Sequence, residues 1–416
     1  MPETKPYQIS KNVVAQAFEM VKANRGTYGV DKESIEEFEM NKRDNLYKIW
    51  NRMSSGSYLP KPVKAVAIPK KTGGTRILGI PTVEDRVAQT VAKQYFEPGV
   101  ERIFYEDSYG YRPNKSAIQA VEVTRQRCWR FSWVLEFDIK GLFDNIRHDY
   151  LMALVKRHTQ EKWLILYIER WLKTPFQMED GTLVPRDSGT PQGGVISPVL
   201  ANLFLHYTFD NFMMKQFPSM PWARYADDGI IHCMTLKQAQ YLQKQLQKRF
   251  EKCGLELNLE KTKIVYCKDS KRREYYPNTS FDFLGYTFRP RTAESRFGEH
   301  YVRFLPAISD KAKKAIRHNI RSWGLQRRVD KELQDIAEMY NSRIQGWINY
   351  YSHFYKSELG KVLRYVNQCL VKWVQKKYKI SNRKAIQWIG TIARNNRNMF
   401  AHWKQGIIND WIMGAV

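Results

Sequence analysis

The chain has 416 residues, 43% of them hydrophobic, which is enough for roughly two or three globular domains with a sizeable core. Its 68 Lys and Arg against 42 Asp and Glu give a formal net charge of +26, which favours a polyanionic partner over a merely soluble basic protein. No apolar run reaches the roughly 18 residues of a membrane helix, and no basic amphipathic helix dominates the chain, so we do not expect a membrane to be that polyanion.

The cysteines predict neither a zinc knuckle nor a disulfide framework, because no two of them have CxxC spacing. They are Cys128, Cys233, Cys253, Cys267 and Cys369. The N-terminal residues MPETKPYQIS contain neither an apolar signal core nor an Arg-rich amphipathic pattern. We therefore expect a reducing, intracellular setting.

The predicted elements alternate between helices and strands up to about residue 290. In chain order they are helices within residues 1–60, a hairpin over 63–81, a helix over 82–101, a strand over 133–138, a helix over 149–173, a Gly-rich loop and helix over 189–213, a hairpin over 222–231, a helix over 236–253, and strands near 255–267 and 281–290. Gly26 ends the first helix, and Asp138 lies close to the end of the strand that opens at Trp133. From about residue 305 the pattern is helical, so we place a domain boundary within residues 289–300.

The C-terminal part of the chain carries most of the excess charge. Residues 289–416 hold 25 Lys and Arg against nine Asp and Glu. Tryptophans are interleaved with these cations, at Trp323, Trp347, Trp373, Trp388 and Trp403. This interleaving suits contacts with nucleic acid backbone and bases as well as core packing. We predict nucleic acid binding here in preference to solvation alone.

The stretch WARYADDGII, residues 222–231, places two like charges side by side at the tip of a predicted hairpin. Asp227 and Asp228 repel each other, and burial makes this costly unless a cation lies between them. Two-metal phosphoryl transfer uses such clustered carboxylates, and Mg²⁺ needs only two or three Asp together with phosphate oxygens. Asp138, at the end of an apolar strand, is well placed as the third ligand. Taken alone, an Asp-Asp-Gly turn is an equally good interpretation.

Further motifs surround this pair: IPKKTGGTRILGIPTVEDR, SYGYRPNKSA, DIKGLFDNIRHDYL, GTPQGGVISPVLANLFLH, LELNLEKTK, FDFLGYTF and GWINYY. In order and spacing, from about residue 20 to about 360, they resemble the group II intron reverse transcriptases. NRGTYGVDKESIEEF resembles the N-terminal extension of that group, and GWINYY resembles its maturase, or thumb, signature. The resemblance implies an α+β fold, a right-hand polymerase with fingers and an antiparallel-sheet palm, followed by an all-helical basic thumb. The implied domains are residues 1–110 (N-terminal extension and fingers), 111–295 (palm, with remaining fingers elements) and 296–416 (thumb, or maturase X domain).

The resemblance assigns catalytic roles to residues around the Asp pair. Asp138, Asp227 and Asp228 match the catalytic carboxylates and would bind two Mg²⁺ ions, with the carbonyl of Ile139 as an additional ligand. Phe143 resembles the aromatic gate whose ring excludes a ribose 2′-OH, although an aromatic beside a strand is as often a core residue.

Nucleotide binding is implied for a hairpin and a loop. Lys70 and Arg76 flank a Gly-Gly turn and match cations that grip the triphosphate, with solvated surface cations as the alternative. Gln192 matches a residue near the sugar of the incoming nucleotide. Gly193 and Gly194 would let the backbone approach nucleotide or template, unless they belong to an ordinary helix-entry loop.

Other matches concern the leaving group and the primer. Lys261 resembles the proposed general acid, but Lys263 could serve instead, and an ordinary surface lysine is an equal alternative. Leu284, Gly285 and Tyr286 resemble the hairpin that holds the primer end, with β-packing as the alternative.

The sequence departs from the family pattern in two ways, and one further motif residue keeps two interpretations. Arg147 stands where many members have Asp, so any role of that carboxylate is in doubt. Beyond residue 360 only Cys369 and His402 could contribute to a His-Asn-His nuclease, so we expect no such domain. Arg112, in YGYRP, is expected either to contact template or to brace the fingers.

The implied reaction is Mg²⁺-dependent addition of dNTPs to a DNA primer on an RNA template, together with assistance to the splicing and mobility of the group II intron RNA. Two alternatives stay open: a maturase that acts mainly as an intron RNA-binding splicing factor, and a domesticated reverse transcriptase in defence or repair. The expected location is the bacterial cytoplasm, including a nucleoid-associated ribonucleoprotein.

Overall fold

The chain folds into two compact units, each built from two stretches of sequence. The computed structural model describes residues 5–69, 74–295 and 297–408. Unit 1 contains the chain up to Ser116 together with Leu135–Lys263, and unit 2 contains Ala117–Val134 together with the chain from Ile264 onward. Within the described ranges we find no helix with the length and apolar composition of a bilayer span.

Helices and strands are distributed over both units. The helices are α1 Lys11–Asn24, α2 Ile35–Met40, α3 Lys42–Ser55, α4 Val83–Glu101, α5 Ala117–Cys128, α6 Leu142–Asn145, α7 His148–His158, α8 Lys162–Lys173, α9 Ser197–Leu205, α10 Asn211–Gln216, α11 Leu236–Lys252, α12 Asp310–Ser322, α13 Leu333–Tyr351, α14 Lys356–Tyr378, α15 Asn382–Asn395 and α16 Ala401–Lys404. A π-helix, His206–Asp210, joins α9 to α10, and a 3₁₀ helix spans Leu325–Arg327. The strands are β1 Val63–Pro69, β2 Thr75–Ile80, β3 Trp133–Asp138, β4 Phe176–Gln177, β5 Leu183–Val184, β6 Trp222–Tyr225, β7 Asp228–Cys233, β8 Lys263–Tyr266, β9 Phe281–Phe283, β10 Tyr286–Glu294 and β11 His300–Ile308.

Side-chain caps explain several helix starts. Ser34 and Thr235 each begin a helix, α2 and α11, with a capping box that satisfies backbone N–H groups of the first turn. The hydroxyl of Ser309 caps α12 by accepting a hydrogen bond from the Ala312 N–H. The helix predicted over 236–253 therefore begins at its predicted residue.

Unit 1 contains two sheets that carry the predicted hairpins. In the first, with strand order β2-β1-β4-β5, β1 and β2 form the predicted antiparallel hairpin, in which Ile68 pairs with Arg76. Sequence reasoning missed β4 and β5, because two-residue strands leave no periodic pattern. In the second, β7 lies between β6 and β3. This order positions the candidate active site described below.

Unit 2 combines an antiparallel sheet, with strand order β11-β10-β9, and the helices from α12 onward. The predicted domain boundary lies within residues 289–300, and the described residues of that range belong to the β10–β11 hairpin, where Glu294 pairs with His300. Exposed charged side chains on this two-stranded ribbon gave it the composition of a linker. The predicted helices accordingly begin at Asp310.

The five tryptophans that the sequence places among the C-terminal cations contribute to the core of unit 2. Trp323, Trp373 and Trp403 are buried, and Trp347 and Trp388 pack against the same cluster. Trp323 stacks on Trp347 with ring centroids 5.8 Å apart. Core packing is therefore the correct interpretation of Trp323, Trp373 and Trp403, whereas Trp347 and Trp388 pack on the core and keep part of their surface exposed.

Candidate active site

Three aspartates meet where β3 ends and β7 begins. Asp138 is the last residue of β3, and Asp228 is the first residue of the neighbouring β7. Asp227 lies in the short turn between β6 and β7, where Tyr225 pairs with Asp228. Asp138 and Asp227 are half-buried, and Asp228 is exposed. The structure therefore brings the three predicted carboxylates together.

Electrostatic coupling reflects this proximity. Burial raises the pKa of Asp227 above its ordinary value, and the negative charge of Asp138 raises it further. The Lys261 ammonium lies 2.9 Å from Asp138 Oδ2. That hydrogen bond, together with the charges of all three aspartates, raises the pKa of Lys261. Lys261 therefore supplies positive charge inside the acidic cluster.

The LELNLEKTK segment also orients Asp138. Asn258 Nδ2 donates to Asp138 Oδ2 at 2.9 Å, and the Asn258 backbone N–H donates to the Asp138 carbonyl, also at 2.9 Å. Sequence reasoning missed Asn258, although it lies inside a recognised motif. Lys261 follows Asn258 closely in the same segment, whereas Lys263 is exposed at the start of β8. Of the two lysines, Lys261 is therefore the one that contacts a predicted catalytic carboxylate.

The chemistry of this cluster fits a hard divalent cation. Within the described residues, no three His, Cys, Asp or Glu side chains are arranged as a ready-made metal site. Mg²⁺ rarely uses such all-protein cages, because it keeps several waters and shares substrate phosphates with one or two carboxylates. The raised pKa of Asp227 beside the like charge of Asp138 marks a place where added positive charge is favourable. The carboxylates thus provide oxygen ligands where a cation is needed.

The turn that carries Asp227 has an unusual backbone and tight packing. Ala226 has a φ of 55°, in the left-handed region that residues with a Cβ rarely adopt. A Cβ on Gly110 would lie 2.4 Å from the Ala226 nitrogen, and a Cβ on Gly229 would lie 2.1 Å from the Phe137 ring. Glycine is required at both positions, so YGY and DDG are packing requirements as well as motifs.

The Gly-rich loop before α9 is held against β2. The Gly79 N–H donates to the Gln192 carbonyl at 2.7 Å. A Cβ on Gly193, whose φ is 116°, would lie 2.4 Å from the Gly79 oxygen, and one on Gly194 would lie 2.6 Å from the Ser197 hydroxyl. These glycines therefore approach protein atoms closely, as the alternative of an ordinary helix-entry loop predicts.

Gln89, in α4, holds this loop from another side. Its Oε1 accepts a hydrogen bond from the Val195 N–H at 2.8 Å, and its Nε2 donates to Asp85 Oδ2 at 3.3 Å. Asp85 also accepts from the Tyr58 hydroxyl at 2.7 Å and from the Trp171 ring nitrogen at 2.8 Å. Burial raises the pKa of Asp85 to about 6. Sequence reasoning missed this network, because an Asp and a Gln four residues apart in a helix form no recognisable motif.

Two further predicted site residues follow Asp138 along the chain. Phe143 lies in α6 and is half-buried, and its carbonyl accepts from the Thr190 N–H at 2.7 Å. The side chain of Ile139 is buried, and its backbone forms an isolated antiparallel bridge with Leu257. Only the backbone carbonyl of Ile139 is therefore a candidate metal ligand.

The predicted triphosphate-binding cations lie on the β1–β2 hairpin. Arg76 is exposed on β2, whereas Lys70 lies outside the described residues. Burial and the charge of Asp227 raise the pKa of Tyr111, and the opposing charge of Arg76 lowers it. The charges of Arg76 and Asp227 thus both influence the Tyr111 hydroxyl. This proximity is what a residue that binds the triphosphate requires.

The Arg112 side chain forms internal contacts within unit 1. Its side chain is only 5% exposed, and its guanidinium forms an ion pair with Glu101 at 2.6 Å. Its Nη1 donates to the carbonyls of Tyr105 and Ser108, at 2.6 and 2.7 Å. Because internal acceptors use these donors, the contacts support the bracing alternative, and template contact by Arg112 stays a prediction.

The predicted primer hairpin is in unit 2. Leu284 and Gly285 form the turn between β9 and β10, with φ values of 51° and 80°. The Tyr350 hydroxyl donates to the Leu284 carbonyl at 2.8 Å, and a Cβ on Gly285 would lie 2.9 Å from the Tyr351 hydroxyl. Tyr286 is buried and donates its hydroxyl hydrogen to the Tyr350 carbonyl. The buried Tyr286 side chain supports the β-packing alternative, its role at the primer stays a prediction, and tyrosines of GWINYY contact the turn.

The departures from the family pattern have structural explanations. Arg147 forms an ion pair with Asp149 at 2.5 Å and lies over the Tyr150 ring, 4.1 Å from its centroid. Cys369 and His402 are core residues of unit 2.

The family follows from comparison with known proteins. The family model for reverse transcriptase (RNA-dependent DNA polymerase) matches residues 68–288, more than half of the chain. This chain belongs to the reverse transcriptase family. The model of the group II intron maturase-specific domain matches residues 313–389.

This reverse transcriptase is similar to curated proteins over most of its length. It is 27% identical over 433 residues to the group II intron-encoded protein LtrA of Lactococcus lactis subsp. cremoris. The aligned region covers 83% of this chain and 69% of LtrA. It is 29% identical over 329 residues to protein YkfC of Escherichia coli strain K12, covering 70% of this chain and 83% of YkfC. It is 26% identical over 334 residues to the putative COX1/OXI3 intron 1 protein of Saccharomyces cerevisiae, covering 67% of this chain and 38% of that protein.

These matches confirm the predicted fold class and activity. The chain is an RNA-directed DNA polymerase of the group II intron class, with a polymerase fold followed by a helical maturase domain. Reverse transcriptases as a family use divalent metal ions and copy RNA, so both a divalent ion and RNA belong to its chemistry.

Proposed function

We propose that Asp138, Asp227 and Asp228 are the catalytic carboxylates and that they bind two Mg²⁺ ions. The observation that supports this most strongly is their meeting at the end of β3 and the β6–β7 turn, where Lys261 interacts with all three charges. Bound Mg²⁺ would activate the attacking hydroxyl and stabilise the charge that develops on the phosphate.

The proposed substrates are a dNTP, a DNA primer and an RNA template. The primer 3′-OH attacks the α-phosphate, a new phosphodiester bond forms, and pyrophosphate leaves. Arg76 and Lys70 bind the triphosphate, and Phe143 and Gln192 contact the sugar. The charges of Arg76 and Asp227 both influence the pKa of the Tyr111 hydroxyl, and this supports the assignment of Arg76.

Lys261 is the proposed general acid for the departing pyrophosphate. Its hydrogen bond to Asp138 and the three carboxylate charges raise its pKa, which keeps the ammonium protonated at neutral pH. Its Nζ lies 2.9 Å from Asp138 Oδ2, inside the same cluster.

We further propose fingers, palm and thumb over residues 1–110, 111–295 and 296–416. The last of these carries most of the excess positive charge and is the proposed contact for the group II intron RNA. The proposed location is the bacterial cytoplasm, in a ribonucleoprotein with that RNA. Leu284 and Gly285 are the proposed turn that holds the primer.

Primer extension on an RNA template with Mg²⁺ and dNTPs tests the catalytic assignment. The Asp227→Asn variant keeps the side-chain shape but removes the charge. We expect a loss of cDNA synthesis of more than about 100-fold, because even residues that only support metal ligands are worth roughly 10- to 100-fold. Asp330→Asn, at an exposed position in unit 2, is the matched control and should retain activity.

An Asp227→Asn variant with wild-type cDNA synthesis would overturn the assignment. A splicing assay with the intron RNA, run on the same preparations, separates the second activity. We expect splicing to persist in Asp227→Asn, because the removed charge belongs to the polymerase site.

A further inference from the structure

We propose that Arg224 and Asp210 are positioning residues, whose buried ion pair fixes the turn carrying Asp227 and thereby sets the affinity of the site for divalent cations. This inference rests on the proposed function of that turn. Neither residue is exposed, and we do not assign either one a contact with substrate.

The ion pair is bidentate and completely buried. Arg224 Nε lies 2.8 Å from Asp210 Oδ1, and Nη2 lies 2.7 Å from Oδ2. Both side chains are 0% exposed. Two parallel charge-assisted hydrogen bonds fix both the distance and the plane of the guanidinium. The pair is therefore a rigid anchor two residues before the catalytic turn.

The same guanidinium reaches the turn itself. Its Nη1 donates to the Ala226 carbonyl at 3.3 Å and to Asn202 Oδ1 at 3.1 Å. Its Nη2 also donates to the Ser108 hydroxyl at 2.8 Å. Asn202 in turn donates from Nδ2 to the Gly110 carbonyl at 2.7 Å. Gly110 is the residue that packs against Ala226, so one network holds both sides of this contact.

The turn needs such support because its conformation is unfavourable in isolation. Ala226 has a φ of 55°, and residues in this region persist only when the surrounding structure determines them. The next residue is Asp227, whose burial beside Asp138 is also unfavourable without a cation. Fixing the turn in advance therefore reduces the reorganisation that cation binding requires.

Asp210 comes from a distorted helix segment. It is the last residue of the π-helix His206–Asp210, a kind of insertion that is frequent at functional sites. His206 Nδ1 lies 3.9 Å from Asp210 Oδ2, but burial lowers the pKa of His206 to about 4, so this ring is neutral at neutral pH. The charge of Asp210 is therefore matched by Arg224.

Stability alone does not explain the pair. Desolvation of two charges offsets most of their attraction, and replacing such a pair by apolar side chains of similar size is often neutral or stabilising. A buried pair whose remaining donors all point to the turn and its neighbours is better explained by positioning. A variant in which apolar side chains replace the pair is therefore expected to fold.

The test uses the Arg224→Met/Asp210→Leu double variant of the full chain. Mn²⁺ binding in the absence of nucleotide is measured by electron paramagnetic resonance of the free ion, and hydrogen exchange is measured at the amides of residues 226–228. We expect a loss of Mn²⁺ affinity of roughly 10- to 100-fold and faster exchange in the turn. In primer extension, kcat should fall by a similar factor while KM for dNTP changes much less.

Two single variants complete the design. Arg224→Lys keeps the charge but cannot make the forked contacts, so we expect a partial loss of Mn²⁺ affinity. If the double variant does not fold, the Mn²⁺ affinity of Arg224→Lys tests the positioning role, and wild-type affinity would overturn it. Tyr167→Phe is the control, because it removes a buried hydroxyl that donates to the Met53 carbonyl in the same unit. It should lower the melting temperature without changing Mn²⁺ affinity.

The outcomes separate this inference from the proposed function. The positioning role alone would be overturned if the folded double variant kept wild-type Mn²⁺ affinity and kcat while Asp227→Asn lost both. Full Mn²⁺ binding and activity in Asp227→Asn would overturn the proposed function of the turn. Loss in both variants, with Tyr167→Phe unaffected, supports both.

Discussion

The two units bury polar side chains in different ways. In unit 1, the charged pair of Arg224 and Asp210 lies under the turn that carries the predicted catalytic carboxylates. In unit 2, Asn367 is buried and its Oδ1 pairs with His402 Nε2 and with the Trp403 ring nitrogen, each at 2.8 Å. Burial lowers the pKa of His402 to about 3, so this second network is neutral.

The difference relates buried charge to function. A neutral network satisfies its hydrogen bonds at low desolvation cost and joins helices. A buried ion pair is a poor stabiliser but a precise anchor, and it lies where an unfavourable turn must hold its shape. In unit 2, cations such as Lys314, Arg317 and Arg321 are instead exposed on α12. Unit 2 therefore combines this neutral network with a basic surface, which suits contact with phosphates.

The largest expected effect is the response of RNA binding to salt. If the exposed cations meet phosphates, affinity for RNA should fall by roughly 10³-fold or more between 50 and 200 mM salt. Filter binding over this range measures the slope of log affinity against log salt. The Lys314→Gln/Arg317→Gln/Arg321→Gln variant should flatten that slope by roughly two. A flat response in the wild-type chain would show that the basic surface does not bind RNA.

The exposed positive charge was predictable from composition, whereas the sequence left the tryptophans among it open between nucleic acid contacts and core packing. The sequence shows that Trp323 lies among Lys and Arg residues. Its stacking on Trp347 depends on the tertiary packing of α13, which the local sequence does not reveal. The aspartates were predictable because motif order and strand ends carry that information. Arg224 was not, because its partner Asp210 is 14 residues away in a π-helix whose local sequence resembles an ordinary helix.

The neutral network of unit 2 provides the next test. Asn367→Leu keeps an apolar volume but removes the acceptor shared by His402 and Trp403. We expect a loss of about 2–4 kcal/mol in the free energy of unfolding, because buried donors lose their partner. Urea unfolding followed by circular dichroism measures it.

Asn349→Leu, on the exposed face of α13, is the control and should cost less than about 0.5 kcal/mol. Mn²⁺ affinity should be unchanged in Asn367→Leu, in contrast to the Arg224 variants. If Asn367→Leu weakened Mn²⁺ binding as much as the Arg224 variants, the contrast between a positioning pair and a stabilising network would fail.

A charge cluster of Glu358, Lys313 and Lys361 in unit 2 makes its stability depend on pH. Burial would raise the pKa of Glu358, but hydrogen bonds from Lys313 and Lys361 outweigh it and lower the pKa to about 2. Because the folded pKa lies below the unfolded value, this stabilisation is complete above about pH 4.5 and is lost as the pH falls toward 2. Glu358→Gln should therefore lower the free energy of unfolding by about 2 kcal/mol at pH 7.

The difference between Glu358→Gln and wild type should shrink as the pH falls from 4.5 to 3, as measured by urea unfolding at each pH. Glu338→Gln, at an exposed position of α13, should show little difference at either pH. A constant difference across this range would mean that the Glu358 charge is not the source of the stabilisation.

The smallest expected effect concerns the loop of unit 1 held by Gln89. Gln89→Leu removes the acceptor of the Val195 N–H and the donor to Asp85, but it leaves the carboxylates and the Arg224 pair intact. We expect kcat/KM for dNTP to fall by roughly tenfold, about 1.4 kcal/mol, with the larger part in KM, because Gln192 lies in this loop. Steady-state primer extension separates the two constants.

Arg224→Lys is the natural counterpart of Gln89→Leu, because each weakens one support of the same proposed site. The Arg224 network holds the turn of Asp227, so its loss should appear in kcat and in cation affinity. The Gln89 network holds the loop of Gln192, so its loss should appear in KM with Mn²⁺ affinity unchanged. A Gln89→Leu variant that lost Mn²⁺ affinity would show that the two supports act as one unit, and each would then require the other to hold the carboxylates in place.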